Sequence, residues 1–141
     1  MTTAIHLRVD ALRAGNDPTF VARLASGWAV LGERQVLPGY CLLLPDPVVP
    51  SLNALAGAER AAFLADMAAL GDAVLAVTQA ERINYEILGN VEAALHAHVI
   101  PRHASEDPEL RKKPVWLHDW KAALPIDRDA FALARQIAAE L

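Results

Sequence analysis

The chain has 141 residues, 54% of them hydrophobic, with 13 Lys and Arg against 17 Asp and Glu and a formal net charge of −4. That length fits one domain, 1–141, able to bury a core without disulfides or metal, and the acidic balance excludes a basic face for long nucleic acids. Cys41 is the only cysteine, so no intrachain disulfide is possible and a cytoplasmic setting is expected; no basic-then-apolar leader and no run of about 18 apolar residues is seen, so neither a signal peptide nor a membrane partner is expected.

Residues 4–15 read two ways. Ile5, Leu7 and Val9 alternate like a strand, whereas the stretch through Leu12 and Arg13 suits a short helix, and Gly15-Asn16-Asp17-Pro18 stops either. His6 has no partner in the sequence and is read as a surface residue. Thr19 to Ser26 reads as a connecting or helical piece. Trp28 to Leu31 is the first confident strand, Gly32 to Gln35 a turn-like break, and Tyr40 to Leu44 a second strand. The continuous apolar run of that second strand suits burial on both faces, and the short connection makes the two an antiparallel pair.

Pro45-Asp46-Pro47-Val48-Val49-Pro50 is extended. A long helix follows over 58–78, where Phe63, Met67, Leu70, Val74 and Val77 form an apolar stripe at helical period. Gly71 inside it costs about 1 kcal/mol relative to Ala. A third strand region starts at Glu81-Arg82, and Leu88 to Val91 bends. Asn84 and Asn90 are the polar groups here best placed to meet a ligand; a strand edge and a turn are their plainer roles. Glu92 is expected to point away from any anion.

Leu95 to Arg102 carries the chemistry. Alternation puts His96, His98 and Ile100 on one strand face and Leu95, Ala97 and Val99 on the other. Pro101 is expected to end the ladder, leaving Arg102 just beyond it to curl back toward the imidazoles. Two nitrogen bases and a guanidinium point to an anion site, most simply a phosphate. A metal half-site and a chance pairing are the alternatives; no cluster of His or Cys beside the pair supplies further ligands. Beyond Arg102 lie a polar loop, the basic run Arg111-Lys112-Lys113, a possible edge strand over 114–117, and His118-Asp119-Trp120, which is exposed-looking or part of an interface. A final helix runs to Glu140 with Asp127 as its N-cap.

His96-Ala97-His98-Val99-Ile100-Pro101-Arg102 resembles the second half of the histidine-triad (HIT) signature, His-φ-His-φ-His-φ-φ. The register makes His98 the third histidine and His96 the middle one, and puts Ala94 at the first position. Ile83 to Asn90 is similar to the family's Asn-containing strand and Leu-Gly-Asn turn. Pro114-Val115-Trp116 is similar to a segment of the branch with an altered first histidine. The resemblance implies an α+β, HIT-like fold: about five antiparallel strands, one long helix and a C-terminal helix. It also implies a homodimer.

For chemistry, the resemblance implies a nucleotide hydrolase or nucleotidyl transferase acting at the α-phosphate of a conjugate, of the dinucleoside polyphosphate or phosphoramidate class. His96 is the implied nucleophile, forming a nucleotidyl-histidine that water resolves. His98 is implied to stabilise charge or deliver a proton. Asn84, Asn90 and Arg102 are the expected nucleotide contacts, and no metal or other cofactor is expected. The family often has a polar contact where this chain has Gly32. With Ala94 in place of a histidine, a catalytically weak or inactive purine-nucleotide-binding protein is the alternative.

Overall fold

The computed structural model, which describes residues 1–141, is built around a strand over Ala97–Arg102, with Leu95 and His96 leading into it in the same alternation. Helix α1 (Ala4–Arg13) leads into β1 (Phe20–Arg23), β2 (Gly27–Leu31), the short β3 (Arg34–Gln35) and β4 (Cys41–Pro45). Helix α2 (Gly57–Thr78) connects to β5 (Arg82–Glu86) and β6 (Ala97–Arg102); the short β7 (Leu124–Pro125) precedes α3 (Arg128–Ala139). Five strands make one antiparallel sheet in the order β1-β2-β4-β6-β5, and β3 pairs with β7 apart from it. This is the expected α+β architecture.

Each face of the sheet has its own core. On one, Leu43, Ala97 and Val99 meet Phe63, Leu70 and Val74 of α2 and Ala134 and Ile137 of α3. On the other, Val30, Leu42 and Ile100 meet Ile5, Val9 and Leu12 of α1, together with Leu37, Tyr40 and Val115. The histidines belong to this second face. Met67 and Val77 are partly buried against the first core, so the stripe read in α2 packs on the sheet as expected.

One open reading is decided and several expectations are corrected. The N-terminal segment is a helix, because Thr3 and His6 close a capping box: the Thr3 side chain accepts from the Ile5 and His6 amides, and His6 Nδ1 accepts from the Thr3 amide at 3.1 Å. His6 is thus a half-buried cap, not a free surface residue. Residues 20–23 form an edge strand, not a helix; a register irregularity between Phe20 and Ala22 breaks the alternation that would have revealed it. Pro101 does not end the ladder. It pairs with Ile83, and Arg102 with Arg82, while pairing with β4 stops at Val99. Beyond Val99 the strand is paired on one side only, an edge position at which proline is tolerated. Residues 115–117 form a single 3-10 turn, not an edge strand. Helix α2 is long and apolar enough to cross a membrane by length and composition, with mean hydropathy 1.6, which corrects the reading that no stretch approaches that length. Much of its hydropathy comes from alanines.

Candidate active site on the histidine strand

Strand β6 lies between β4 and β5, so His98 has Leu42 opposite it on one side and Glu86 on the other. His96 immediately precedes the first paired residue of β6. The two imidazole centroids are 5.0 Å apart at 73°. His96 Nδ1 lies 2.7 Å from the carbonyl oxygen of Ala94. A carbonyl only accepts, so Nδ1 carries a hydrogen, and in the neutral ring Nε2 is the nitrogen with the free lone pair. His96 is 9% exposed. It opens onto a cavity of about 260 Å³, lined also by Ser51, Leu52, Asn53, Leu88 and Ala94.

His98 is held differently. Its Nδ1 lies 2.7 Å from the Tyr40 hydroxyl, and the two rings stack at 20°. Trp116 approaches edge-on, with centroids 4.9 Å apart, and stacks on Trp120 at 5.3 Å. The Trp116 indole N–H donates to Glu86. Burial, helped by the neighbouring His96, pushes the His98 imidazole down to about 4, so it is neutral at pH 7. Burial also raises the Tyr40 phenol, which keeps its proton. His98 is not among the residues lining the cavity at His96. The imidazoles meet, but only His96 opens onto that space.

Tyr40 arrives through the loop between β2 and β4, and Gln35 fixes that loop. Its buried amide donates to the Gly32 and Tyr40 carbonyls at 2.8 and 2.9 Å and accepts from the Gly39 amide at 3.0 Å. Gly32 also donates to the Tyr40 carbonyl at 2.9 Å. A Cβ at position 32 would lie 2.2 Å from Tyr40 Cδ2, so the ring occupies the space a side chain at 32 would need.

Arg102 shares the histidine face but does not curl back. Its guanidinium donates to both Glu106 oxygens at 3.0 and 3.2 Å, to Asn84 Oδ1 at 2.8 Å, and to the carbonyls of Leu110, Arg111 and Lys113. All five of its N–H groups are thereby matched within the protein. Glu106 closes the cluster. Burial favours its neutral form, but Arg102, the His103 amide and His118 together hold its carboxyl below the usual range. His118 Nε2 sits 2.8 Å from Glu106, so His118 is half-buried in this cluster and not exposed. Asn84 and Arg102 line a separate polar basin of about 540 Å³ with Arg82, Lys112 and Lys113. Asn90 is exposed and lines neither space. The structure thus brings His96 and His98 together, and places Asn84, Asn90 and Arg102 apart from them. Glu92 points away as expected, to the Ala4 amide at 3.2 Å.

The HIT domain family model matches residues 16–105, well over half of the chain. The chain belongs to the histidine-triad (HIT) family. Solved HIT structures agree in fold. A histidine triad protein from Sinorhizobium meliloti 1021 is 25% identical with TM-score 0.74, covering 92% of this chain and 94% of its own. One from Marinobacter aquaeolei VT8 is 20% identical with TM-score 0.73, covering 100% and 94%. A hypothetical histidine triad nucleotide-binding protein from Sulfolobus tokodaii is 15% identical with TM-score 0.72, covering 94% and 89%. No curated protein matches the sequence. HIT membership brings a nucleotide-binding or nucleotide-hydrolysing kind of function.

Sequence reading of this HIT protein missed Tyr40 and Trp116 as neighbours of His98. Tyr40 is 58 residues from His98 and reads only as the start of an apolar strand. The one available signal was Gly32, which marks a place where the backbone is closely approached.

Proposed function

We propose that this HIT protein is a metal-independent nucleotide hydrolase or nucleotidyl transferase acting at the α-phosphate of a nucleotide conjugate, with His96 as nucleophile and Ala94 at the first position of the triad. The observation that carries this reading is the 2.7 Å contact between His96 Nδ1 and the Ala94 carbonyl. It places the hydrogen on Nδ1, so the neutral ring attacks through its Nε2 lone pair. In the first step Nε2 forms a bond to phosphorus, the bond from phosphorus to the leaving group breaks, and the electron pair departs with that group. His96 then carries the positive charge, with Nδ1–H still held by the carbonyl. In the second step water forms the new P–O bond, the P–N bond breaks and neutral His96 returns. The water proton goes to solvent. Positioning and fixed donors are sufficient for chemistry of this kind.

The nucleotide enters through the cavity at His96, where Ser51 and Asn53 supply polar groups and Leu52 and Leu88 apolar surface. Support for a nucleotide as ligand comes from family membership and from the nucleotide-binding description of the Sulfolobus tokodaii protein. The second reading, a purine-nucleotide binder with little turnover, is favoured by Ala94 itself, which offers His96 its carbonyl but no side-chain donor. We also propose a homodimer, testable by sedimentation of the full chain.

Incubation with diadenosine tetraphosphate and with an adenosine phosphoramidate, with and without chelator, tests the proposal. Chelator-resistant release of AMP that disappears in His96→Ala is the expected result. Thermal stabilisation by AMP with no product from either conjugate selects the second reading. Product formation abolished by chelator contradicts both.

A further inference from the structure

The other imidazole of the pair is tied down in a way the family signature does not specify. Tyr40 Oη and His98 Nδ1 are 2.7 Å apart, and both residues are buried. A phenol O–H is a stronger acid than a neutral imidazole N–H, and an imidazole nitrogen is a stronger base than a phenol oxygen. The hydroxyl therefore donates to Nδ1, and the imidazole hydrogen sits on Nε2. Nε2 of His98 has no partner inside the protein and is not sealed from solvent; the ring does not line the cavity at His96 but stands 5.0 Å from the His96 ring, so Nε2 is the donor left for a group bound to His96.

We infer that Tyr40 is a positioning residue that holds His98 as a neutral Nε2–H donor, and that the site consequently prefers nucleotide conjugates whose leaving group is a phosphate oxygen over those whose leaving group is an amine. The inference rests on the hydrolase reading above and narrows its substrate class. Its other support is the fit of the tyrosine. The ring stands where a side chain at 32 would be, 2.2 Å from a Cβ built on Gly32, and Gln35 ties both ends of the loop that delivers it.

The groups that face His98 do not charge it. His96 is on its own strand side, Leu42 is opposite on β4, and Glu86 is opposite on β5 with its Oε2 taken by the Trp116 indole. Tyr40 and Trp116 cover it from the loops. Its low affinity for a proton follows from that burial and from His96.

The leaving-group consequence is a matter of proton balance. When the P–O bond to a phosphate breaks, the electron pair stays on an oxygen that is stable as an anion and needs only a hydrogen bond. When a P–N bond breaks, the amine must gain a proton as it departs. A neutral His98 that gave up its Nε2 hydrogen would become imidazolate unless Tyr40 passed its own proton to Nδ1, and burial holds the phenol proton in place. An amine must draw its proton from solvent instead. Loss of a positioned acid costs about 100-fold.

Two measurements on the full chain decide the matter. Long-range nitrogen-15 correlation at pH 7, with His98 assigned by comparison with His98→Asn, reads the tautomer; an unprotonated Nδ1 and protonated Nε2 are expected, and the reverse overturns the role of Tyr40. Turnover of diadenosine tetraphosphate and of adenosine tryptamine phosphoramidate is then compared. The polyphosphate is expected to react about 100-fold faster in kcat/KM. Tyr40→Phe keeps the ring against Gly32 but loses the hydroxyl. It is expected to lower kcat on the polyphosphate about tenfold with KM little changed, and to give a mixed His98 tautomer. Equal or faster turnover of the phosphoramidate, or unchanged kcat in Tyr40→Phe, overturns the inference while leaving the hydrolase reading intact. No product and no His96 adduct with either conjugate overturns the hydrolase reading and the leaving-group preference together, and the tautomer measurement still decides whether Tyr40 orients His98.

Discussion

His98 is buried as a neutral base, and this has a consequence for stability. An exposed histidine titrates near 6.5, whereas His98 in the folded protein titrates at about 4. Between those values the unfolded chain binds a proton that the folded chain does not, so stability falls as pH is lowered through 6.5 toward 4. Urea unfolding at pH 7 and pH 5 is expected to show a loss of about 2 kcal/mol from this group, absent from the same comparison in His98→Asn. Identical losses in both proteins would contradict the assignment. Arg102 is the second residue with a definite expectation. Its donors are consumed by Glu106, Asn84 and three carbonyls, and Glu106 is itself held below the usual carboxyl range within that cluster. Lysine cannot reproduce the planar fork. Arg102→Lys is expected to cost about 3 kcal/mol in urea unfolding with KM for the nucleotide unchanged; a raised KM at wild-type stability would restore it as a ligand contact. The shared face of His96 and His98 was legible because alternation alone decides it. The fate of Arg102 was not, because all of its partners except Asn84 lie on the loop after the strand, whose path no periodicity encodes.

Among the elements, those with a strong period were legible and those held by tertiary contacts were not. Helix α2 and the pair β2–β4 follow directly from apolar spacing. Strand β1 and the turn at 115–117 do not: one is a short irregular edge, and the other is fixed by packing of Val115 in the second core. Helix α1 was ambiguous because the Thr3–His6 cap uses histidine where Glu or Gln is the usual signal. Gly71 in α2 shows how an element-level cost is offset. A Cβ there would meet the Tyr85 hydroxyl at 2.0 Å, and Tyr85 is 40% exposed, so its ring has room to move. Gly71→Ala gains about 1 kcal/mol of helix propensity and disturbs that contact. Its net effect in urea unfolding is expected to be under about 1 kcal/mol, rising to a stabilisation of about 1 kcal/mol in a Tyr85→Ala background. A loss of several kcal/mol in both backgrounds would mean that the clash is with the backbone.

At the scale of the whole molecule, two cores on opposite faces of one sheet fix where chemistry is possible. The face toward α2 and α3 is closed by apolar side chains, and the face toward α1 carries the imidazoles under Tyr40 and Trp116. The cavity at His96 is assembled from residues 50–53, 87–89 and 94–96. Residues 87–89 follow β5 and 94–96 precede its sheet neighbour β6, while 50–53 come from the segment after β4, where the Leu95 amide donates to the Val49 carbonyl at 2.8 Å. That is why the motif was readable and the pocket was not. The most direct measurement is intact mass of the full chain after brief exposure to diadenosine tetraphosphate, followed by peptide mapping. A mass increase of one adenylyl group on His96, absent in His96→Ala, is the predicted result; AMP release with no adduct on His96, or an adduct on another residue, would contradict it.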